Sequence, residues 1–236
     1  MGHYGFYGFY FDPTYWLVLI GAILCLYAQA KVSSAYSKYS KVRSRSGMTG
    51  AQAAQRILDL SGIYDVRIER IGGSLTDHYD PANKVLRLSD SVYGSASIAA
   101  IGVAAHECGH AVQHQQGYAP LKIRSALVPA ANIGSKAGIP IIILGALLGM
   151  NQVLIQIGIW VFALAVLFQV VTLPVEFNAS GRALAMLGDY GMLAQDEVGG
   201  CRKVLKAAAL TYVAAAASAI LQLLRLVLLF GRRNDD

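Results

Sequence analysis

His106 and His110 stand four residues apart, with Glu107 directly after the first of them. On a helix that spacing turns both imidazoles to one face, within reach of one metal ion, and sets a carboxylate beside it. A zinc ion held there would activate a water molecule whose proton Glu107 can take. The five-residue pattern also arises by chance, and two surface histidines flanking a helical glutamate are its bland reading. Three features of the context favour the metal: the run is helical in character, Gly109 permits close approach of another element, and the apolar lead-in from Ile98 to Ala105 would bury the site.

Zinc in a catalytic site takes three protein ligands and keeps a position open for water. His114 continues the four-residue spacing, but it lies about 12 Å along the helix axis from His106, too far for bonds of about 2.1 Å to one ion. A longer histidine pattern fails as well, because Gln113 and Gln116 stand where it would need glycine and histidine. Glu176 is the better candidate. It follows an apolar stretch at the point where the chain turns polar again; an ordinary helix-start acid is the alternative. The three cysteines, Cys25, Cys108 and Cys201, have no disulfide or metal spacing.

The elements that must position these residues belong to a membrane protein. The chain has 236 residues, of which 55% are hydrophobic and 14% charged, with a mean hydropathy of +0.46. A soluble domain would carry roughly a quarter charged residues. The net charge of +6 is not arranged as a basic stripe with interleaved aromatics, which argues against nucleic acid. It clusters beside apolar stretches, where it would orient the chain in a bilayer.

Residues 15–30 read as a first span rather than a cleaved leader, since the aromatic stretch before them has no Lys or Arg. Residues 1–14 are then an extracytoplasmic tail, and Lys31, Lys38, Lys41, Arg43 and Arg45 mark the cytoplasmic side. Residues 31–122 form a polar region. Within it Thr49 and Gln52 fit a capping box ahead of a short amphipathic helix. Val66–Ile71 and Lys84–Leu88 read as strands, with a turn at Asp80–Asn83. The histidine helix runs from about Ser95 to Gln116. Residues 123–173 read as a membrane hairpin whose first arm is short unless it includes Lys136, and residues 174–206 as a second cytoplasmic region, helical, carrying Glu176. Residues 207–230 form the last span and 231–236 the C-terminal tail. Arg225 inside that span should snorkel or face a partner; Arg232 and Arg233 would lie outside, against the charge trend.

Leu75–Pro81, Leu88–Ser89 with Val92–Tyr93, Ala104–Ala111 and Glu176–Ala183 together resemble the YugP-type neutral zinc metallopeptidases of bacterial membranes, over nearly the whole chain. The plan is also similar to HtpX-type and prenyl-protein peptidases, where a membrane hairpin separates the zinc helix from a Glu-x-x-Ala-Asp segment. The resemblance implies a mainly α membrane protein with about four transmembrane segments and a small α+β, zincin-like catalytic domain bearing the histidine helix and a short sheet. It implies one Zn²⁺ per chain on His106, His110 and Glu176, with Glu107 as general base. Ser180 stands where the segment would carry Asp, so Asn178 or Ser180 would orient a ligand histidine instead. It further implies that Lys84–Leu88 is an edge strand able to hold an extended peptide. His78, Tyr79 and Arg182 are unranked candidates to stabilise the oxyanion or contact substrate.

The expected protein is a bacterial inner-membrane zinc metalloendopeptidase with its site facing the cytoplasm, cutting membrane or membrane-proximal polypeptides. Its partners would be a polypeptide substrate and the lipid bilayer, with room for oligomerisation or a regulatory membrane partner. A non-catalytic, zinc-stabilised membrane scaffold is the alternative. It predicts a closed four-ligand site and indifference to the loss of Glu107. A transporter would need more polar residues inside the spans than Gln152, Gln156 and Gln169.

Overall fold

The computed structural model describes residues 12–231. The expected N-terminal and C-terminal tails, with Arg232 and Arg233, therefore fall largely outside the described residues. The chain is mainly helical, with four helices long and apolar enough to cross a membrane and one small sheet. The first, α1, spans Tyr15–Tyr39. It continues about two and a half turns past the apolar run into the lysines, so the basic segment rides on the same rigid rod.

Helix α2, Gly50–Leu60, starts where its capping box places it: Thr49 accepts from the Gln52 amide and Gln52 reaches back to the Thr49 amide. Three strands follow, β1 at Arg67–Ile71, β2 at His78–Asp80 and β3 at Val85–Ser89, in the order β1-β3-β2. Strand β3 pairs parallel with β1 and antiparallel with β2. The expected edge strand at Lys84–Leu88 is therefore the central one, and the edge is β2. Its three residues are too few for an alternating pattern, and the Asp-Pro that follows reads as turn. That turn is formed as expected, with Asp80 accepting from the amides of Ala82 and Asn83.

A single turn, α3 at Asp90–Tyr93, leads to α4, Ile98–Gln115, which carries the histidines and is capped by Ser97. Helix α4 is buried nearly all round, and α2, α6 and α7 pack on it. At Gly109 a side chain would sit 2.6 Å from the Ala179 carbonyl, so glycine is what lets the two backbones touch.

Helices α5 (Ala119–Leu147), α6 (Gln152–Asp189) and α7 (Gln195–Phe230) complete the chain. The first arm of the hairpin is one helix that includes Lys136 and two interior prolines, Pro129 and Pro140. Helix α6 does not stop at Pro174. The proline removes one backbone donor, but the segment beyond it is clasped by α4, α5 and α7, which outweighs a lost bond. At 38 residues, α6 is about 57 Å long, against a hydrocarbon core of about 30 Å. One rigid helix thus combines a candidate span with the segment that carries Glu176.

The main core joins α2, β3 and α4 to the ends of α6 and α7 through Ile57, Leu86, Leu88, Ile101, Leu187 and Leu205. A smaller cluster of Ile142, Ile155, Ile159 and Leu226 ties α5, α6 and α7 at the opposite end of the spans. Arg225 has its partner there: it pairs with Asp12 at 3.1 Å and stacks over Tyr15, joining α7 to the start of α1.

Candidate active site

Two helices supply the donors. His106 and His110 lie one turn apart on α4, and Glu176 stands one turn of α6 beyond Thr172, facing them across the Gly109 contact. Glu176 Oε2 is 3.2 Å from His106 Nε2 and 3.6 Å from His110 Nε2. The donor atoms of all three lie within 4.8 Å of one another. A carboxylate only 2% exposed, aimed at two imidazole nitrogens, is a donor set that fits zinc and leaves a coordination position open. His106, His110 and Glu176 are the group that could hold a metal ion among the described residues.

Each imidazole is held from behind. His106 Nδ1 is 3.1 Å from Ser180 Oγ, and His110 Nδ1 is 3.0 Å from Gln113 Oε1. The Gln113 amide cannot be turned over, because its Nε2 donates to the Val175 carbonyl and to Asn178 Oδ1, both at 2.9 Å. Its oxygen therefore accepts from His110 Nδ1–H, which leaves the Nε2 lone pair for a metal. Asn178 touches neither histidine; it accepts from Gln113 and from Arg182 Nε at 2.7 Å.

Glu107 is also buried, and its Oε2 accepts from the Tyr79 backbone N–H at 3.0 Å. Tyr79 N–H thus points away from β3, toward α4, and the next residue whose amide would point that way, Pro81, has none. The free edge of β2 therefore offers an incoming strand little beyond the Tyr79 carbonyl. The Tyr79 ring turns to the other side, its hydroxyl 2.8 Å from His114 Nδ1. Burial pushes that phenol up to about 12, so it stays protonated. His114 is thereby engaged away from the donor cluster.

A cavity of about 250 Å³ opens on Glu107, His110 and Glu176. Its far walls are His78 and Tyr79 from β2, Arg124 and Val128 from α5, and Tyr212 from α7. His78 is exposed there, its Nδ1 3.0 Å from the Thr76 carbonyl. Arg182, expected as a candidate substrate contact, is not brought to this cavity. It bonds Asn178 and Gln116, stacks on Tyr118 and lines a separate hollow behind α4. Cys108, inside the histidine motif, points into the core and donates to the Ala54 carbonyl; burial raises its thiol well above the usual range, so it is no thiolate ligand.

Sequence reading missed three residues of this site. Gln113 carried a signal, since it lies three positions after His110 on one helix face. Arg124 and Tyr212 carried none, for both stand on separate spans. Arg124 Nη1 is 3.4 Å from Glu176 Oε1, and the Tyr212 hydroxyl also interacts with Glu176.

The model of the family described as "Putative neutral zinc metallopeptidase" matches residues 14–231. The chain is 50% identical over 213 residues to a Bacillus subtilis (strain 168) protein named "Putative membrane protease YugP", covering 90% of this chain and 94% of that one. No solved structure matches it. A zinc donor set on two helices, four helices fit to cross a membrane and a family match over almost every residue lead to one conclusion: the chain belongs to the neutral zinc metallopeptidase family.

Proposed function

We propose that this membrane zinc metallopeptidase is an HExxH endopeptidase of the gluzincin type, with ligands His106, His110 and Glu176 and Glu107 as general base. The observation that carries the reading is Glu107. It is a buried carboxylate beside the donor cluster, fixed by one oxygen to the Tyr79 amide, with the open cavity before it. When bound, zinc supplies the Lewis acidity that polarises a scissile carbonyl and a water molecule. Glu107 accepts the water's proton and later delivers it to the leaving amine. The Tyr79 amide keeps one Glu107 oxygen occupied, so the other is the base. His78 lines this cavity and is a candidate to stabilise negative charge that develops on the carbonyl oxygen. Ser180 and Gln113 hold the imidazoles in the tautomer that presents Nε2.

The depth of the site supports substrates cut at the membrane surface. Counted from the far ends of their helices, Glu176 lies about 36 Å along α6, Arg124 about 35 Å along α5 and Tyr212 about 27 Å along α7. Against a hydrocarbon core of about 30 Å, these depths support a site near one membrane boundary. Lys31, Lys38, Arg202, Lys203 and Lys206 lie on α1 and α7 near that end, which argues for a cytoplasmic site. The substrate is then a polypeptide segment lying close to a membrane span.

The test is Glu107→Gln in the purified full chain. It should keep about one zinc per chain and lose peptide hydrolysis by a factor of about 10² or more. Undiminished cleavage would refute the assignment, and a zinc protein whose biological role survives Glu107→Gln would be a scaffold.

A further inference from the structure

We propose that Arg124, on α5, is a positioning residue for the metal site: it holds one oxygen of Glu176 so that the other alone is presented to zinc. The inference rests on the reading of Glu176 as a metal ligand.

The two carboxylate oxygens of Glu176 have separate surroundings. Oε2 faces both histidine Nε2 atoms, at 3.2 and 3.6 Å. Oε1 faces the other way, 3.4 Å from Arg124 Nη1. The Glu176 side chain is 3% exposed, whereas that of Arg124 is 30% exposed, so the guanidinium reaches from the cavity wall onto a carboxylate that water scarcely touches. A buried carboxylate with one oxygen free of partners can rock to bind a metal through both oxygens, filling the position that a water or a scissile carbonyl needs. The Arg124 cation 3.4 Å from the second oxygen, on a carboxylate that the Tyr212 hydroxyl also engages, opposes this. It also offsets the cost of keeping the carboxylate charged away from water.

The placement adds a mechanical consequence. Both histidines come from α4 and the carboxylate from α6, two helices clamped together at Gly109. Arg124 belongs to neither. It stands in the second turn of α5, which packs along α6 and forms one wall of the cavity. A shift of that end of α5 would move the guanidinium and alter how Glu176 presents itself.

The experiment uses the full chain in detergent, stripped and reloaded with Zn²⁺ or Co²⁺, in the forms wild type, Arg124→Gln, Arg124→Lys, Glu176→Gln and the double variant Arg124→Gln/Glu176→Gln. Zinc affinity is read by chelator competition, and coordination number by the visible spectrum of the cobalt form. Arg124→Gln should weaken zinc about 10- to 100-fold, the usual effect of losing a partner of a ligand. Its cobalt spectrum should change toward a higher coordination number, and Arg124→Lys should restore most of both. Lys122→Gln, which removes an exposed cation two residues away, should change neither. In the Glu176→Gln background, Arg124→Gln should have no further effect on affinity, because the group it positions is gone. An unchanged affinity and spectrum in Arg124→Gln would overturn the proposal. So would a loss of equal size in the Glu176→Gln background, which would mark a general effect on folding. Tight zinc retained by Glu176→Gln would instead refute the ligand assignment beneath it.

Discussion

Gln113 is the residue whose replacement tests the construction of the site most directly. Its side chain is fully buried and makes three contacts: it accepts from His110 Nδ1–H and donates to the Val175 carbonyl and to Asn178. Gln113→Met keeps the volume and removes all three. Asn178 retains Arg182 as a donor, and the Val175 carbonyl keeps its place in the α6 ladder, so the group left stranded is His110 Nδ1–H. A buried donor without a partner costs about 1–3 kcal/mol. A lost partner behind a metal-bound histidine costs about 10- to 100-fold in affinity, which is about 1.4–2.8 kcal/mol. Two independent routes thus converge on the same size. Ser180→Ala should cost less, at or below about tenfold, because the His106 side chain is 12% exposed and water can replace the hydroxyl. The assay is zinc competition against a chelator, with thermal unfolding of the zinc-loaded forms run in parallel. Zinc affinity within twofold of wild type in Gln113→Met, or a larger loss in Ser180→Ala, would refute the assignment of Gln113 as the residue that orients His110.

Three further outcomes follow from particular contacts. Gly109→Ala places a methyl group 2.6 Å from the Ala179 carbonyl, on backbone that cannot yield, so it should destabilise by about 1–3 kcal/mol or more and lower zinc content, read by thermal unfolding and metal analysis. Asp12→Ala should lower stability more than Arg225→Met, since the first strands a cation on a membrane helix and the second removes it; thermal unfolding in detergent ranks the two. The Asp80 carboxyl is held well below the usual carboxylate range by the Asn83 side chain and backbone and by Arg87. A depressed folded value means its contribution is present at neutral pH and is lost as pH falls through that value. Asp80→Asn should therefore be less stable than wild type at pH 7, and the two should converge in strong acid, as followed by amide exchange in the turn before β3.

Much of the architecture was legible because it follows from local rules. Four long apolar stretches demand helices, since a backbone in hydrocarbon must satisfy its own polar groups. The Thr49 box, the turn at Asp80–Asn83 and the four-residue histidine spacing are likewise matters of near neighbours. The sheet was less legible. Strand β2 is three residues long and takes its place from partners rather than pattern, so its position at the edge, and that of β3 at the centre, could not be read. At Pro174 propensity favours a break, and packing on three neighbours overrides it.

By itself, then, the sequence determined the chemistry of the donors: two histidines held one turn apart by helix geometry, a carboxylate beside them, and a membrane setting set by hydropathy. Tertiary structure alone decided what surrounds those donors. It brought Glu176 from a residue seventy positions away in the chain to within 3.2 Å of His106. It set Gln113 behind His110, moved Arg182 out of the cavity, and delivered Arg124 and Tyr212 from separate spans. The physical reason is the range of the constraint. A helix turn fixes neighbours three and four positions apart, whereas the approach of α4 to α6, and of α5 to both, depends on which side chains are small enough to let backbones meet.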